Sequence, residues 1–386
     1  MKIEPFALER WLTAHELKVE YDIGESGIYP LTAGELLDLL PESARAITLQ
    51  ELLEMRLGYS EARGTLKLRS LLAQSYEGCR PENIVVTTGA IEANFLLFNV
   101  LLNAGDHVVA PYPAYQQLYS VPRALGCDVS LWRVRSNDGF RFDLDDLEQL
   151  VRPETRLIVI NSPHNPTGAM LDAGELERVH NLAQSVGAMV LSDEAYRWLE
   201  VPGGNESPPP VFNLGPAGIS VGTFSKPFGL PGLRTGWLAA PTEIAAACWA
   251  MRDYVSLSPG KLNDALAALA FEHRDKIVQR NWEIISQNLS TANQWIAEHS
   301  SVLSWMAPRG GLLALLRYNL DIASLDLANR LAEEYSVMMA PGSAFGFEHH
   351  LRVGIGQEPS VFAAGLEQAG ACFTRLQADG IGPVGA

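Results

Sequence analysis

The reading turns on residues 222–237, Gly-Thr-Phe-Ser-Lys-Pro-Phe-Gly-Leu-Pro-Gly-Leu-Arg-Thr-Gly-Trp, in which Lys226 and Arg234 are the charged groups. The run Ile219 to Phe224 ahead of the lysine is short and apolar, the pattern of a strand buried on both faces. Arg234 stands 8 residues past Lys226, across a turn rich in Gly and Pro. Asp193 lies 33 residues before Lys226, in Ser192-Asp193-Glu194-Ala195-Tyr196, and follows another apolar run, Ala188 to Leu191. In parallel α/β sheets, ligands gather outside the carboxyl ends of strands. Residues at these positions are therefore the first candidates for chemistry.

Strand and helix alternate through the middle of the chain. Further strands are expected at Ile84 to Thr88, His107 to Ala110, Asp128 to Val134, Arg156 to Asn161 and Gly236 to Ala240. Helices are expected at Ala90 to Leu102 and Glu175 to Val186. Apolar runs separated by helices predict an α/β architecture with a mostly parallel sheet covered on both faces. After Pro259 the character changes to a long helical stretch, Asn263 to His299, with a break near Lys276. Strand-like runs at Gly311 to Leu316 and Val337 to Ala340 follow, then a helix from Pro359 to Leu376. This part reads as a second, smaller α+β domain. Residues 1–50 have weak periodicity and read as an arm or a lid. Ser207-Pro208-Pro209-Pro210 reads as an exposed loop, and Ala378 to Ala386 as a frayed, Gly-rich end.

The chain of 386 residues is long enough for two or three domains, or for a large one carrying a smaller. Its net charge of −16 disfavours nucleic acid and anionic membrane surfaces as partners, because both demand a basic face. No run of about 18 apolar residues is present to span a bilayer. Residues Met1 to Pro5 lack the apolar run of a secretion signal. The cysteines Cys79, Cys127, Cys248 and Cys372 form no C-x-x-C pair, so a metal site is not expected and a reducing, cytoplasmic setting is.

Other strand ends carry further candidates. Gly89-Ala90-Ile91 opens a helix, where free backbone N–H groups suit a phosphate. Tyr112 and Tyr115 follow the next strand, as ring-stacking groups or as core aromatics. Asn165 follows Arg156 to Asn161, within Asn165-Pro166-Thr167-Gly168, which also reads as a plain turn. Each feature is ordinary alone; the joint order of aspartate, lysine and arginine is not. That order suits pyridoxal 5′-phosphate: a lysine to bond the aldehyde, an aspartate to keep the ring nitrogen protonated, and an arginine for the phosphate.

The segments TTGAIEA (residues 87–93), SPHNPTG (162–168), SDEAY (192–196), GTFSKPFGLPGLRTGW (222–237) and LRVGIG (351–356) resemble fold-type I pyridoxal-phosphate enzymes of the class I/II aminotransferase family. The match runs in order from about residue 50 to 360. The resemblance implies a large cofactor domain, residues 51–260, with a mostly parallel seven-stranded sheet between helices. It implies a small domain and N-terminal arm built from residues 1–50 and 261–386. It makes Lys226 the cofactor-bonding lysine and proton shuttle, Asp193 the ring-nitrogen partner, and Tyr196 and Asn165 donors to the ring oxygen. It puts Gly89, Ala90, Ile91, Thr223, Ser225 and Arg234 at the phosphate and Tyr115 on the ring face. Arg352 would clamp the carboxylate of an L-amino acid. Tyr59 would reach the phosphate of a neighbouring subunit, which makes the enzyme a homodimer with shared active sites.

The family leaves the reaction open. Transamination is the first expectation. Residues 6–11, 23–27 and 229–234 resemble a branch that includes capreomycidine synthase-like cyclases, which act on hydroxylated arginines. Glu9 and Glu25 are then candidates for a guanidinium side chain, or else solvated acids of an arm. His164 is either an acid–base group or a structural loop histidine. Lys261 is a cation near the substrate or a surface lysine. A transcription regulator of this fold would need a DNA-binding module, and a nicotinamide enzyme would need a glycine fingerprint; neither is found.

Overall fold

The computed structural model describes residues 2–200 and 207–384. A two-residue strand, β1 (Tyr21–Asp22), precedes the main sheet of β2 (Ile84–Thr87), β3 (His107–Tyr112), β4 (Asp128–Arg133), β5 (Thr155–Asn161), β6 (Met189–Asp193), β7 (Gly218–Thr223) and β8 (Gly236–Ala239). Their order across the sheet is β2-β8-β7-β6-β5-β3-β4. Neighbours are parallel except where β8 runs against β2 and β7. The apolar runs are strands buried on both faces, as for Ile84–Thr87 and Gly218–Thr223. The strand expected to end at Ala110 continues through Pro111 and Tyr112 alongside Trp132 and Arg133. Pairing with β5 ends at Val109, so Pro111 interrupts no ladder on that side.

Beyond the main sheet come β9 (Leu303–Trp305), β10 (Leu313–Tyr318), β11 (Val337–Met338), β12 (Ala340–Pro341) and β13 (His350–Gly354). A four-stranded antiparallel sheet has the order β12-β13-β10-β9. The run Val337 to Ala340, read as one strand, serves two sheets: β11 pairs with β1 and β12 with β13. The long helical stretch breaks at His273, between helices Lys261–Glu272 and Arg274–Glu298, rather than near Lys276.

The apolar clusters run across residues 50 and 261. Leu8, Trp11, Ile23 and Ile28 pack with Leu313, Leu366 and Phe373 of the small domain. Leu36 and Leu37 pack instead with Leu68, Phe224 and Ala267 under the main sheet. Within residues 1–50, read as an arm or a lid, lie helices Ala7–His15 and Ala33–Asp38 and the start of Glu42–Glu54. In the expected exposed loop, Ser207 is exposed and Pro210 is buried. At the Gly-rich end, Gly382 O accepts from Asp321 N at 3.0 Å, and residues 385–386 lie outside the described ones. Among the described residues, no helix is long and apolar enough to cross a membrane.

Candidate active site

A cavity of about 500 Å³ opens at the carboxyl ends of β5, β6 and β7 and is lined by Lys226, Asp193, Asn165, Tyr196 and Tyr115 among others. Lys226 follows β7, between Phe224 and Phe228. Those rings lie 4.7 Å apart and pack with Trp237 and Phe271 in one buried cluster. Burying a Phe side chain contributes about 1.5–3 kcal/mol, so the lysine backbone is anchored on both sides. Its amine reaches into the cavity, donating to Ser26 Oγ at 2.8 Å, with Glu25 Oε1 at 3.3 Å.

Asp193 ends β6 on the cavity floor. Its carboxylate accepts from Asn94 Nδ2 at 2.8 Å and from the Ala195 N–H at 3.1 Å. Burial pushes this carboxyl above its usual range, and those two donors only partly offset the effect. Asn161 Nδ2 donates to the Asp193 carbonyl at 2.9 Å, and Asn161 Oδ1 accepts from the Asn165 N–H at 2.8 Å. A chain of hydrogen bonds thus joins the ends of β5 and β6. Sequence reasoning missed Asn94 and Asn161. Nothing local marks Asn94: the same helix, Gly89–Leu101, also buries the polar residue Glu92.

One end of the cavity gathers donors around the start of helix Gly89–Leu101. Gly89 has φ +77°, and a side chain there would meet Arg234 Nη2 at 3.0 Å. The glycine therefore admits the guanidinium beside the first helical turn. Arg234 itself has φ +47°. A non-glycine residue in the left-handed region costs about 1–2 kcal/mol, which fits a site held for function. Thr223 Oγ1 accepts from the Ser225 N–H at 3.1 Å, and the Ser225 hydroxyl lies 3.1 Å away. Ala90 and Ile91 also line this end.

Arg352, on β13 of the small domain, is fully buried. It donates from Nη2 to the Gly24 carbonyl at 2.8 Å and from Nη1 to Asn165 Oδ1 at 3.3 Å, while buried Nε has no partner among the described residues. Tyr196 is buried nearby; burial pushes its phenol up, and Lys226 and Arg352 draw it back. Glu9 and Arg10, on helix Ala7–His15, line the cavity with Phe6, whose ring sits 4.9 Å from that of Tyr115. Glu25 is half-exposed and paired with Lys226.

Three candidates lie elsewhere within the chain. Tyr59 is 85% exposed and lines a separate cleft with Lys261. His164 is buried, with Nδ1 2.7 Å from Thr167 Oγ1 and Nε2 2.9 Å from the Pro113 carbonyl. Both ring nitrogens are engaged, and burial pushes the imidazole down to about 4. The structural reading of His164 is the one this geometry favours.

These residues fit pyridoxal phosphate. Asp193 is a buried carboxylate with no cation among its described hydrogen-bond partners, which suits a protonated ring nitrogen. Arg234, the Thr223 and Ser225 hydroxyls and a helix start suit a phosphate. Site and fold together define a pyridoxal-phosphate enzyme. The sequence model of "Aminotransferase class I and II" matches residues 26–364, and the chain belongs to that family. It is 33% identical to capreomycidine synthase of Streptomyces vinaceus, over 90% of this chain and 88% of that one. A solved pyridoxal-phosphate-dependent aminotransferase from Streptococcus suis superposes with a TM-score of 0.91 at 35% identity, covering 97% of this chain and 99% of the other. The pyridoxal-phosphate-dependent cyclase OrfR superposes with a TM-score of 0.87 at 30% identity, covering 98% of each chain.

Proposed function

We propose that the protein transaminates an L-amino acid, with Lys226 moving the proton at the substrate Cα. The observation that carries this reading is that Lys226 and Asn165 line one cavity floored by Asp193, and that the Arg352 guanidinium donates to that Asn165 side chain. Arg352 holds the α-carboxylate through its paired N–H groups, which fixes the Cα–H bond relative to Lys226. Lys226, anchored by Phe224 and Phe228, takes that proton as general base. Asp193 holds the proton on the ring nitrogen. The cofactor, when bound, supplies an electron sink for the carbanion. Asn165 and Tyr196 orient the ring oxygen, and Tyr115 covers a ring face. Incubation with a panel of amino acids and 2-oxoglutarate tests this: a keto acid and glutamate should appear together.

A second reading rests on Glu9. This carboxylate lines the cavity from a helix that packs against the small domain, and two similar proteins are a capreomycidine synthase and a cyclase. With a hydroxyarginine-type substrate, Glu9 would hold the guanidinium, and elimination followed by internal addition would close a ring. A product lighter by one water, formed without an amino acceptor, would mark that outcome. The pairing of Glu25 with Lys226 makes Glu9 the better of the two acids for this role. We propose further that the enzyme is a cytoplasmic homodimer, in which exposed Tyr59 completes the phosphate site of the other subunit.

A further inference from the structure

The family reading gives Lys226 two states, bonded to the cofactor or free while the substrate occupies its place, and says nothing of where the free amine goes. Two groups stand ready for it: Ser26 Oγ at 2.8 Å and Glu25 Oε1 at 3.3 Å from Nζ. Both come from a loop some 200 residues away in sequence. That loop is built, not floppy. Asp22 Oδ1 accepts from the Gly24 N–H at 3.1 Å and the Glu25 N–H at 2.9 Å. The Gly24 carbonyl accepts from Arg352. A side chain on Gly354 would sit 2.0 Å from the Glu25 carbonyl, so the loop backbone is packed directly onto the end of β13.

We propose that Glu25 and Ser26 form the docking site of the free Lys226 amine, which makes Glu25 a catalytic residue in contact with the reacting nitrogen. Asp22 is the positioning residue that holds the pair in place. This rests on the reading of Lys226 as the base. A carboxylate attracts a cation and leaves a neutral amine almost unaffected, so Glu25 acts most strongly as the amine takes the Cα proton. Such differential interaction speeds the chemical step. No group is consumed: the proton passes from Cα to Nζ, and the resulting ammonium is held by the carboxylate and the hydroxyl. Because the docking site serves the lysine, its effect does not depend on the substrate side chain.

The test uses the cofactor-loaded enzyme and amino acids deuterated at Cα, one neutral and one cationic, and follows loss of deuterium to water by NMR. Cofactor affinity is measured in parallel by titration. Glu25→Gln should slow exchange about tenfold or more with both amino acids, the scale of a positioned proton-transfer group, with cofactor affinity unchanged. Ser26→Ala should slow it less, and Glu25→Asp should recover part of the rate. Exchange slowed only for the cationic amino acid would overturn the proposal and make Glu25 a side-chain recognition residue. A loss of cofactor affinity equal to the loss of rate would overturn it in favour of a structural role. If the wild-type enzyme exchanges deuterium from no amino acid, the reading of Lys226 as base fails first, and the proposal with it.

Discussion

Asn165 Oδ1 accepts a hydrogen bond from Arg352 Nη1 at 3.3 Å, across a separation of 187 residues. The contact joins the loop after β5 to a strand of the small domain. Through Asn161 it continues to the backbone of Asp193. The group proposed to hold the substrate carboxylate is thus wired to the one proposed to hold the ring nitrogen.

The first prediction concerns Arg352. Arg352→Lys keeps a charge and loses the planar fork. A hydrogen bond to a charged group contributes about 1.5–3 kcal/mol, so KM for the amino acid should rise about ten- to hundredfold. Cofactor affinity should not change. Steady-state kinetics check the first and cofactor titration the second.

Asp193→Asn keeps the shape and the contact with the Ala195 N–H but removes the charge that holds a ring proton. Turnover should fall about 100-fold or more, as when one positioned electrostatic group is lost. Circular dichroism should show the fold retained. Undiminished turnover would remove Asp193 from its role.

Much of the site was legible because Lys226, Asp193 and Arg234 sit where apolar runs end, and an apolar run is a local signal. Asn94 was not, since it lies inside a helix and its partner is 99 residues away. Ser26 was hidden for the same reason: its importance comes from tertiary approach to Lys226. An apolar run also carries no direction, so the antiparallel course of β8 was invisible. The packing of Leu36 and Leu37 was also hidden, because they look like any amphipathic pair until their partners Leu68 and Phe224 are seen.

His164 should be mechanistically silent. His164→Asn should slow turnover by less than about tenfold, below the range of a general acid or base, and should leave the pH–rate profile unmoved. Stability should respond instead. The folded imidazole is pushed down to about 4 from an ordinary 6.5, so the unfolded chain binds the proton first. Stability is present above pH 6.5 and is lost as the pH falls towards 4. The asparagine variant should show a shallower loss in urea unfolding across that window.

Asp22 gives the opposite sign. Burial, then the neighbouring Glu25, pushes its carboxyl up to about 6 from an ordinary 3.8. Its contribution to stability is therefore present below pH 3.8 and lost as the pH rises through about 6. Asn at this position still accepts from the Gly24 and Glu25 N–H groups. Asp22→Asn should flatten the fall in stability between pH 4 and 6, measured by urea unfolding.

Tyr59 tests the shared site. The protein should sediment as a dimer, and Tyr59→Phe should weaken cofactor affinity although the residue is 85% exposed within its own chain. A monomer that binds cofactor with unchanged affinity would contradict a shared site.

The most direct test of the central claim is chemical. The loaded enzyme is reduced with borohydride, digested and mapped by mass spectrometry. The expected result is a phosphopyridoxyl adduct on Lys226, absent from a Lys226→Ala protein. An adduct on a different lysine, or a reducible cofactor bond that survives Lys226→Ala, would contradict the account.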